Sequence, residues 1–168
     1  MAPYLVLPTP TPCDFGDPPG TDEDDSFCNV TLSSAVHIYS QSSTTVYAST
    51  NGYLSILYGQ AQYQPQAFPD SHIPNNTVAP FLSDLYIFGT SSPHQGIWYE
   101  TFPNGTMMWE YYTGRYQGPS SQVYHFTVAT STVSPGVWVY TYYATGGSTD
   151  DGVHAAVGAQ GGKSSLRL

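Results

Sequence analysis

Clusters of carboxylate side chains are the residues of this chain best suited to chemistry. An acidic run occupies positions 22–25, and a further acidic pair at 150–151 precedes a glycine. Carboxylate oxygens in irregular loops are ligands that Ca²⁺ prefers, so calcium is the candidate cofactor. The candidate ligands are Asp22, Asp24, Asp25, Asp84, Asp150 and Asp151. The alternative interpretation is that the acidic runs are solvated surface, and that Asp84 is a buried, hydrogen-bonded structural residue.

Two further acids, Glu100 and Glu110, lie on neighbouring strands of a predicted hairpin. Glycoside hydrolysis needs two carboxylates across one bond, so this pair makes a carbohydrate-active enzyme a minor alternative. Solvent-facing acids on a sheet explain the same pattern. The histidines show neither H-x-H nor H-E-x-x-H spacing, and no G-x-S-x-G motif is present. We therefore predict no catalytic residues and no enzymatic activity.

The charge balance and the lack of a long apolar run each exclude one class of partner. Charged residues make up 9% of the chain, against about 25% in a typical domain, and the net charge is −9. The cations are Arg115, Lys163 and Arg167. Because phosphate groups are neutralised by Lys and Arg, nucleic-acid binding is excluded. No apolar run approaches the roughly 20 residues of a membrane helix, so no membrane insertion is expected.

Two cysteines and three glycosylation motifs predict a secreted protein. Cys13 and Cys28 are an even pair without C-x-x-C spacing, which predicts a disulfide between them. By constraining the unfolded chain, such a disulfide would stabilise the fold by about 3 kcal/mol. Asn29, Asn75 and Asn104 each begin an N-x-Ser/Thr acceptor sequence. The alternative for these motifs is chance, in a chain rich in Ser and Thr. Together the features favour a location outside the cytosol, at a cell surface or cell wall.

Period-two alternation predicts an all-β antiparallel sandwich, jelly-roll-like and without substantial helix. Trp138, Tyr140 and Tyr142, for example, fall on one strand face, and a last strand is expected from Ala155 to Ala159. Residues 1–12 form an extended arm, because prolines at every second position prevent a helix or a central strand. Residues 13–168 form a single domain that starts with the disulfide loop 13–28.

The segment 59–77 is a long loop between strands, and loops of this length are commonly functional or disordered. Its mixture of aromatic and amide side chains is typical of loops that bind sugars or proteins. An outward aromatic on a strand would add a stacking platform, although strand tryptophans more often belong to the core. The candidate ligand-binding residues are Tyr63, Gln64, Phe68, His72 and Trp98.

Five segments in order resemble the nidogen-like extracellular domains and their microbial relatives. They are Asp24-Asp25-Ser26, the strand–turn–strand 46–55 around Asn51-Gly52, the segment 78–85 containing Pro80-Phe81, the strand 96–100, and 157–161. The resemblance implies an extracellular β-sandwich of adhesion, matrix and cell-wall proteins, generally without catalytic activity. Tyr86 stands where the family often has a second acid after Asp84, which argues against carrying a metal role over from the family.

These observations predict an extracellular adhesion or matrix module that binds a glycan or an extracellular protein. The alternative is a structural subunit of a surface layer or fibre that self-associates through residues 1–12, whose extended arm suits pairing with a neighbour's edge strand. Low lysine content with Ser, Thr and Tyr richness favours a fungal surface protein. The chain starts without a signal peptide and ends without a stalk, so we expect a domain excised from a larger protein.

Overall fold

Alternation of apolar and polar residues produces strands along most of the chain. The computed structural model describes residues 4–147, 154–162 and 165–167. No helix occurs in these residues, which confirms the predicted all-β class. Their strands are β1 (Thr11–Pro12), β2 (Glu23–Asp24), β3 (Phe27–Ile38), β4 (Gln41–Ser49), β5 (Tyr53–Ser55), β6 (Thr77–Leu82), β7 (Leu85–Ile87), β8 (Gly96–Thr101), β9 (Thr106–Arg115), β10 (Tyr124–Ser131), β11 (Ser134–Thr145), β12 (Ala156–Gln160) and β13 (Ser165–Arg167).

The strands form two antiparallel sheets packed against each other, as a sandwich requires. Sheet I has the order β1-β8-β9-β10-β11. Short β7 pairs with the last residues of β9, beyond the point where β8 starts, and β2 pairs with β7. Sheet II has the order β13-β12-β6-β5-β4-β3. The edge strands are therefore β1, β2 and β11 in sheet I, and β13 and β3 in sheet II.

The predicted hairpins form, with small differences at their ends. β8 and β9 form the predicted hairpin, in which Trp98 lies opposite Glu110. In β4–β5 Ser49 pairs with Tyr53 across a three-residue loop. The alternation of Leu54, Ile56 and Tyr58 predicts a strand that continues to Tyr58, but β5 ends at Ser55 and Tyr58 is 53% exposed. The expected last strand is shifted by one residue to Ala156–Gln160, and β13 follows it unforeseen.

The main core lies between the sheets. Trp109 and Tyr111 of β9, with Phe126 and Val128 of β10, are fully buried and face apolar residues of sheet II, including Phe81. The Tyr111 and Phe126 rings stack with centroids 4.7 Å apart. Each such side chain contributes about 1.5–3 kcal/mol by burial.

Aromatic residues of β11 connect the two sheets at one edge of the sandwich. Trp138, Tyr140 and Tyr142 all turn toward sheet II, which confirms their predicted placement on one face of the strand. Each donates a hydrogen bond to a backbone carbonyl there: Trp138 Nε1 to His37 (2.8 Å), Tyr140 to Gly158 (3.1 Å) and Tyr142 to Pro80 (2.5 Å). Burial raises the pKa of Tyr142 to about 12. These bonds fasten an edge strand whose other face is exposed.

The predicted disulfide between Cys13 and Cys28 is present, with Cα atoms 5.9 Å apart. Cys13 directly follows β1 and donates its N–H to the carbonyl of Ile97 in β8. Cys28 belongs to β3. The bond therefore links sheet I to sheet II beside the acidic loop that lies between the two cysteines.

Candidate functional site

Three of the predicted metal-ligand candidates meet at one place. A carboxylate oxygen from each of Asp24, Asp25 and Asp84 lies within 4.8 Å of the others. We call this group the acidic patch. Asp24 ends β2, which pairs with β7, and Asp84 directly precedes β7. Pairing of two short strands thus brings acids together that lie about sixty positions apart in the sequence.

Asn51 holds the two sides of the acidic patch in place. Its side-chain amide donates to the carboxylate of Asp25 at 2.8 Å, and its side-chain oxygen accepts the N–H of Leu85 at 3.0 Å. Its backbone carbonyl also accepts the N–H of Ser83 at 3.3 Å. Asn51 is completely buried, so these bonds replace the water contacts that its amide would otherwise make. The Asn-Gly dipeptide was predicted only as a turn, and its bracing role was missed.

Gly52 allows this turn to pack closely against β6. The residue has φ +77°, a conformation that favours glycine, and a Cβ there would overlap the carbonyl oxygen of Phe81. The Gly52 carbonyl in turn accepts the N–H of Phe81 at 3.1 Å. The turn therefore requires glycine for its backbone angle and for the close approach.

Mutual repulsion is built into the acidic patch. Partial burial and the carboxylates of Asp25 and Asp24 raise the pKa of Asp84, against the opposing effect of Arg115. Burial and neighbouring Asp25 likewise raise the pKa of Asp24. Carboxylates held together in this way attract any group that neutralises them. The arrangement suits a hard cation or a cationic group of a partner molecule.

The remaining metal-ligand candidates do not join the patch in the described structure. Asp22 accepts hydrogen bonds from the Tyr86 hydroxyl at 2.9 Å and from the Gly89 N–H at 2.8 Å. Tyr86, the departure from the family pattern, thus engages an acid of the disulfide loop. Asp150 and Asp151 lie outside the described residues.

The long loop that follows β5 begins beside the acidic patch. Tyr53 donates its hydroxyl proton to the carbonyl of Gln60, and Asn51 Nδ2 lies 3.5 Å from the carbonyl oxygen of Ala61. At the other end of the loop, the Gln160 side chain accepts the N–H of Asp70 at 2.8 Å and donates to its carbonyl at 3.0 Å. The loop is therefore fixed at both ends, and Asn51 joins it to the patch.

The five predicted ligand-binding residues separate into two groups. Tyr63, Gln64 and His72 are exposed on this loop. Phe68 and Trp98 are buried, at 2% and 7% exposure, and do not belong to an exposed binding surface. Phe68 packs in a second core cluster with Tyr53, Ile73, Ala79 and Leu82. Trp98 faces the outside of sheet I, but the N-terminal arm covers it.

Residues 4–9 of the arm lie across the outer face of sheet I. Leu5 and Leu7 are buried against Trp98. The N–H groups of Val6 and Leu7 donate to the Glu110 carboxylate at 2.8 and 2.9 Å. We call this contact region the arm seat. The described part of the arm is thus bound to its own domain, and self-association through residues 1–12 stays a prediction.

Glu100 and Glu110, the considered catalytic pair, both bind the arm. Glu110 is fully buried and also lies 2.6 Å from Nε2 of His125. Glu100 accepts the N–H of Thr9 at 2.9 Å and the Thr9 hydroxyl. The two carboxylates are engaged with the protein's own backbone, so the hairpin presents no unoccupied pair of acids to a substrate.

The three sequon asparagines, Asn29, Asn75 and Asn104, are exposed.

No helix in the described residues has the length and apolar character needed to span a membrane. A family model described as NIDO related matches residues 10–168. No curated protein and no solved structure matches the chain.

Proposed function

The chain belongs to the NIDO-related family, and from this premise we propose that it is an extracellular adhesion or matrix module that binds a glycan or a protein partner. Nidogen-like families are typically non-enzymatic, and a nidogen-like domain suggests an extracellular protein. The Cys13–Cys28 disulfide agrees with an oxidising compartment. The engagement of Glu100 and Glu110 by the arm supports the non-catalytic assignment.

The observation that carries the proposal is the two-sided bonding of Asn51. It connects the acidic patch to the loop that presents Tyr63, Gln64 and His72. Acidic oxygens beside exposed aromatic and amide groups are the chemistry used to bind sugars, either directly or through a bound cation. We propose that calcium occupies the acidic patch through Asp24, Asp25 and Asp84, where it would reduce their mutual repulsion.

The test is binding of the secreted protein to a panel of cell-wall polysaccharides, glycans and extracellular matrix proteins, in calcium and in chelator. A double variant, Asp24→Asn with Asp84→Asn, removes two charges from the acidic patch. The matched control, Asp14→Asn with Asp17→Asn, removes two exposed charges of the disulfide loop. We expect saturable binding to one class, weakened at least about tenfold by the patch variant and unchanged by the control.

The outcomes separate the parts of the proposal. Binding lost in chelator supports calcium at the patch, and binding that survives chelation but not the patch variant supports a cationic partner group. Absence of binding to every member of the panel, or equal effects of both double variants, contradicts the proposed surface.

We also propose that Asn29, Asn75 and Asn104 carry N-linked glycans. Their exposure leaves room for a glycan on the folded domain. Secretion from a eukaryotic host followed by enzymatic deglycosylation and mass spectrometry tests each site. Unoccupied sites in a secreted, folded product would contradict this part of the proposal.

A further inference from the structure

The free edge of β11 is unusual among the edges of the described sheets. β1 and β2 are each two residues long, β1 contains Pro12, and β13 is three residues long. β3 is long, but its pairing register breaks between Thr31 and Val36, and it carries the Asn29 sequon. Short strands, proline and irregular pairing are the features that keep sheet edges from pairing with other chains. β11 extends for 12 residues, its one proline stands near its start, and its two register irregularities with β10 lie on either side of the regular segment Trp138–Tyr142.

The composition of β11 favours pairing with an identical strand. Residues 137–143 read Val-Trp-Val-Tyr-Thr-Tyr-Tyr, in which every residue is β-branched or aromatic and none is charged. Seven-residue segments of high β-propensity without charge or proline are the ones that pair with copies of themselves. Val137 and Val139 are each 55% exposed and Tyr143 is 49% exposed. From Trp138 to Tyr142 the strand keeps a regular register with β10.

An apolar groove lies directly beside this edge. It has a volume of about 1020 Å³ and opens between β11 and sheet II. Its lining includes Ile38, Phe81, Trp138, Tyr140, Val157 and Ala159. A strand placed along β11 would therefore cover apolar side chains of both sheets and the edge's backbone groups, which pair with no other described strand.

Charge allows a second copy of the same acidic chain to approach here. β9 and β10 separate β11 from β7, beside which the acidic patch lies, so the patch is about 14 Å from the edge. This distance exceeds the Debye length of about 8 Å at physiological salt. Repulsion between two patches is therefore largely screened, and the edge itself carries no charge to oppose pairing.

We propose that β11 is a homodimerisation edge, at which two copies of the chain pair antiparallel about a two-fold axis and join their sheets I into one continuous sheet. A two-fold axis makes the same strand serve as both halves of the interface. The edge is about 40 Å long, and the two layers make it roughly 15 Å wide, so a pair buries about 1200 Å². That area is at the lower end for specific interfaces, and we expect a reversible dimer with a micromolar dissociation constant.

The test is sedimentation velocity with light scattering on the glycosylated full chain over a concentration series. Val139→Lys places a charge on the pairing segment. Val133→Lys is the matched control, because Val133 lies in the turn before β11, is 79% exposed and undergoes the same change of charge. Both changes reduce the net charge from −9 toward neutrality, so a loss of dimer cannot come from added repulsion between whole molecules.

We expect wild type and Val133→Lys to dimerise alike, and Val139→Lys to raise the dissociation constant about 100-fold, tenfold for each of the two symmetry-related lysines. Hydrogen exchange on the wild type should show β11 amides becoming protected as concentration rises. A monomeric wild type at all concentrations overturns the proposal. A dimer that Val139→Lys leaves intact, in a variant with wild-type circular dichroism, also overturns it.

Discussion

Leu7 donates its backbone N–H to the buried carboxylate of Glu110 at 2.9 Å, across 103 residues of sequence. Val6 donates to the same carboxylate, and His125 lies against it. The N-terminal arm is therefore anchored by a side chain of a central strand. The short pairing of β1 with β8 is a second attachment.

Glu110→Gln should reduce the free energy of unfolding by about 2–4 kcal/mol, because a neutral amide cannot accept both N–H groups and pair with His125. Urea unfolding followed by tryptophan fluorescence measures the change. The matched variant Glu100→Gln alters a partly exposed anchor of Thr9 and should cost less than about 1 kcal/mol. Equal losses in free energy of unfolding for the two variants would contradict the argument that buried Glu110 is the stronger anchor.

Gly52→Ala should destabilise the domain by about 2–4 kcal/mol, because alanine is strained at φ +77° and its Cβ overlaps the Phe81 carbonyl. Gly20→Ala is the control, since Gly20 has φ +87° but no atom within 4 Å of the position that a Cβ would occupy. Its cost should be about 1 kcal/mol. Thermal unfolding of both variants separates backbone strain from overlap, and similar melting temperatures would contradict the close-approach argument.

Asp84→Asn should stabilise the calcium-free protein at about pH 7 by roughly 0.5–1 kcal/mol. The folded pKa of Asp84 lies above its ordinary value of 3.8. A carboxyl whose pKa is raised on folding binds protons more tightly in the folded state. Its contribution to the free energy of unfolding therefore falls as the pH rises from the unfolded pKa through the folded pKa. The advantage of the variant should therefore shrink as the pH is lowered toward about 4. An advantage that grows on acidification would have the wrong sign.

Tyr140→Phe should cost about 1 kcal/mol at neutral pH, because the hydroxyl bond to the Gly158 carbonyl is lost. Burial raises the pKa of Tyr140 well above its ordinary value of 10. Above the unfolded pKa the wild type therefore loses stability as the pH rises, whereas phenylalanine does not titrate. The difference in free energy of unfolding between wild type and Tyr140→Phe, measured by urea titration, should therefore narrow as the pH rises above about 10. Tyr143→Phe, on the exposed face of the same strand, serves as control, and a gap that widens with pH would contradict the argument.

Local sequence pattern was sufficient for much of the fold. Alternation placed Trp138, Tyr140 and Tyr142 on one face of β11, since a strand fixes side-chain direction residue by residue. The hairpin that places Glu100 and Glu110 on neighbouring strands followed from a turn signal between two alternating segments. The acidic segment 22–25 and Asp84 were identified by residue type, and the structure brings three of those acids together.

What the sequence left open depends on contacts between distant segments. Trp98 looks like an outward-facing residue of β8, but it is buried in a cluster with Leu5 and Leu7 of the arm. Phe68 looks exposed in a polar loop, but Gln160 of β12 fixes that loop against the domain. Asn51 has the signature of any Asn-Gly turn, and no local pattern reveals that its amide reaches both Asp25 and Leu85.

The position of the Cys13–Cys28 bond has a mechanical consequence. A pulling force applied at the N-terminal end of the domain would first peel the arm from its seat, breaking its contacts one after another. At Cys13 the covalent bond would transfer the load directly to Cys28 in β3. The intervening residues, which include Asp24 and Asp25, carry no tension. A domain loaded in this way would release its arm as an extensible tether while the acidic patch kept its shape.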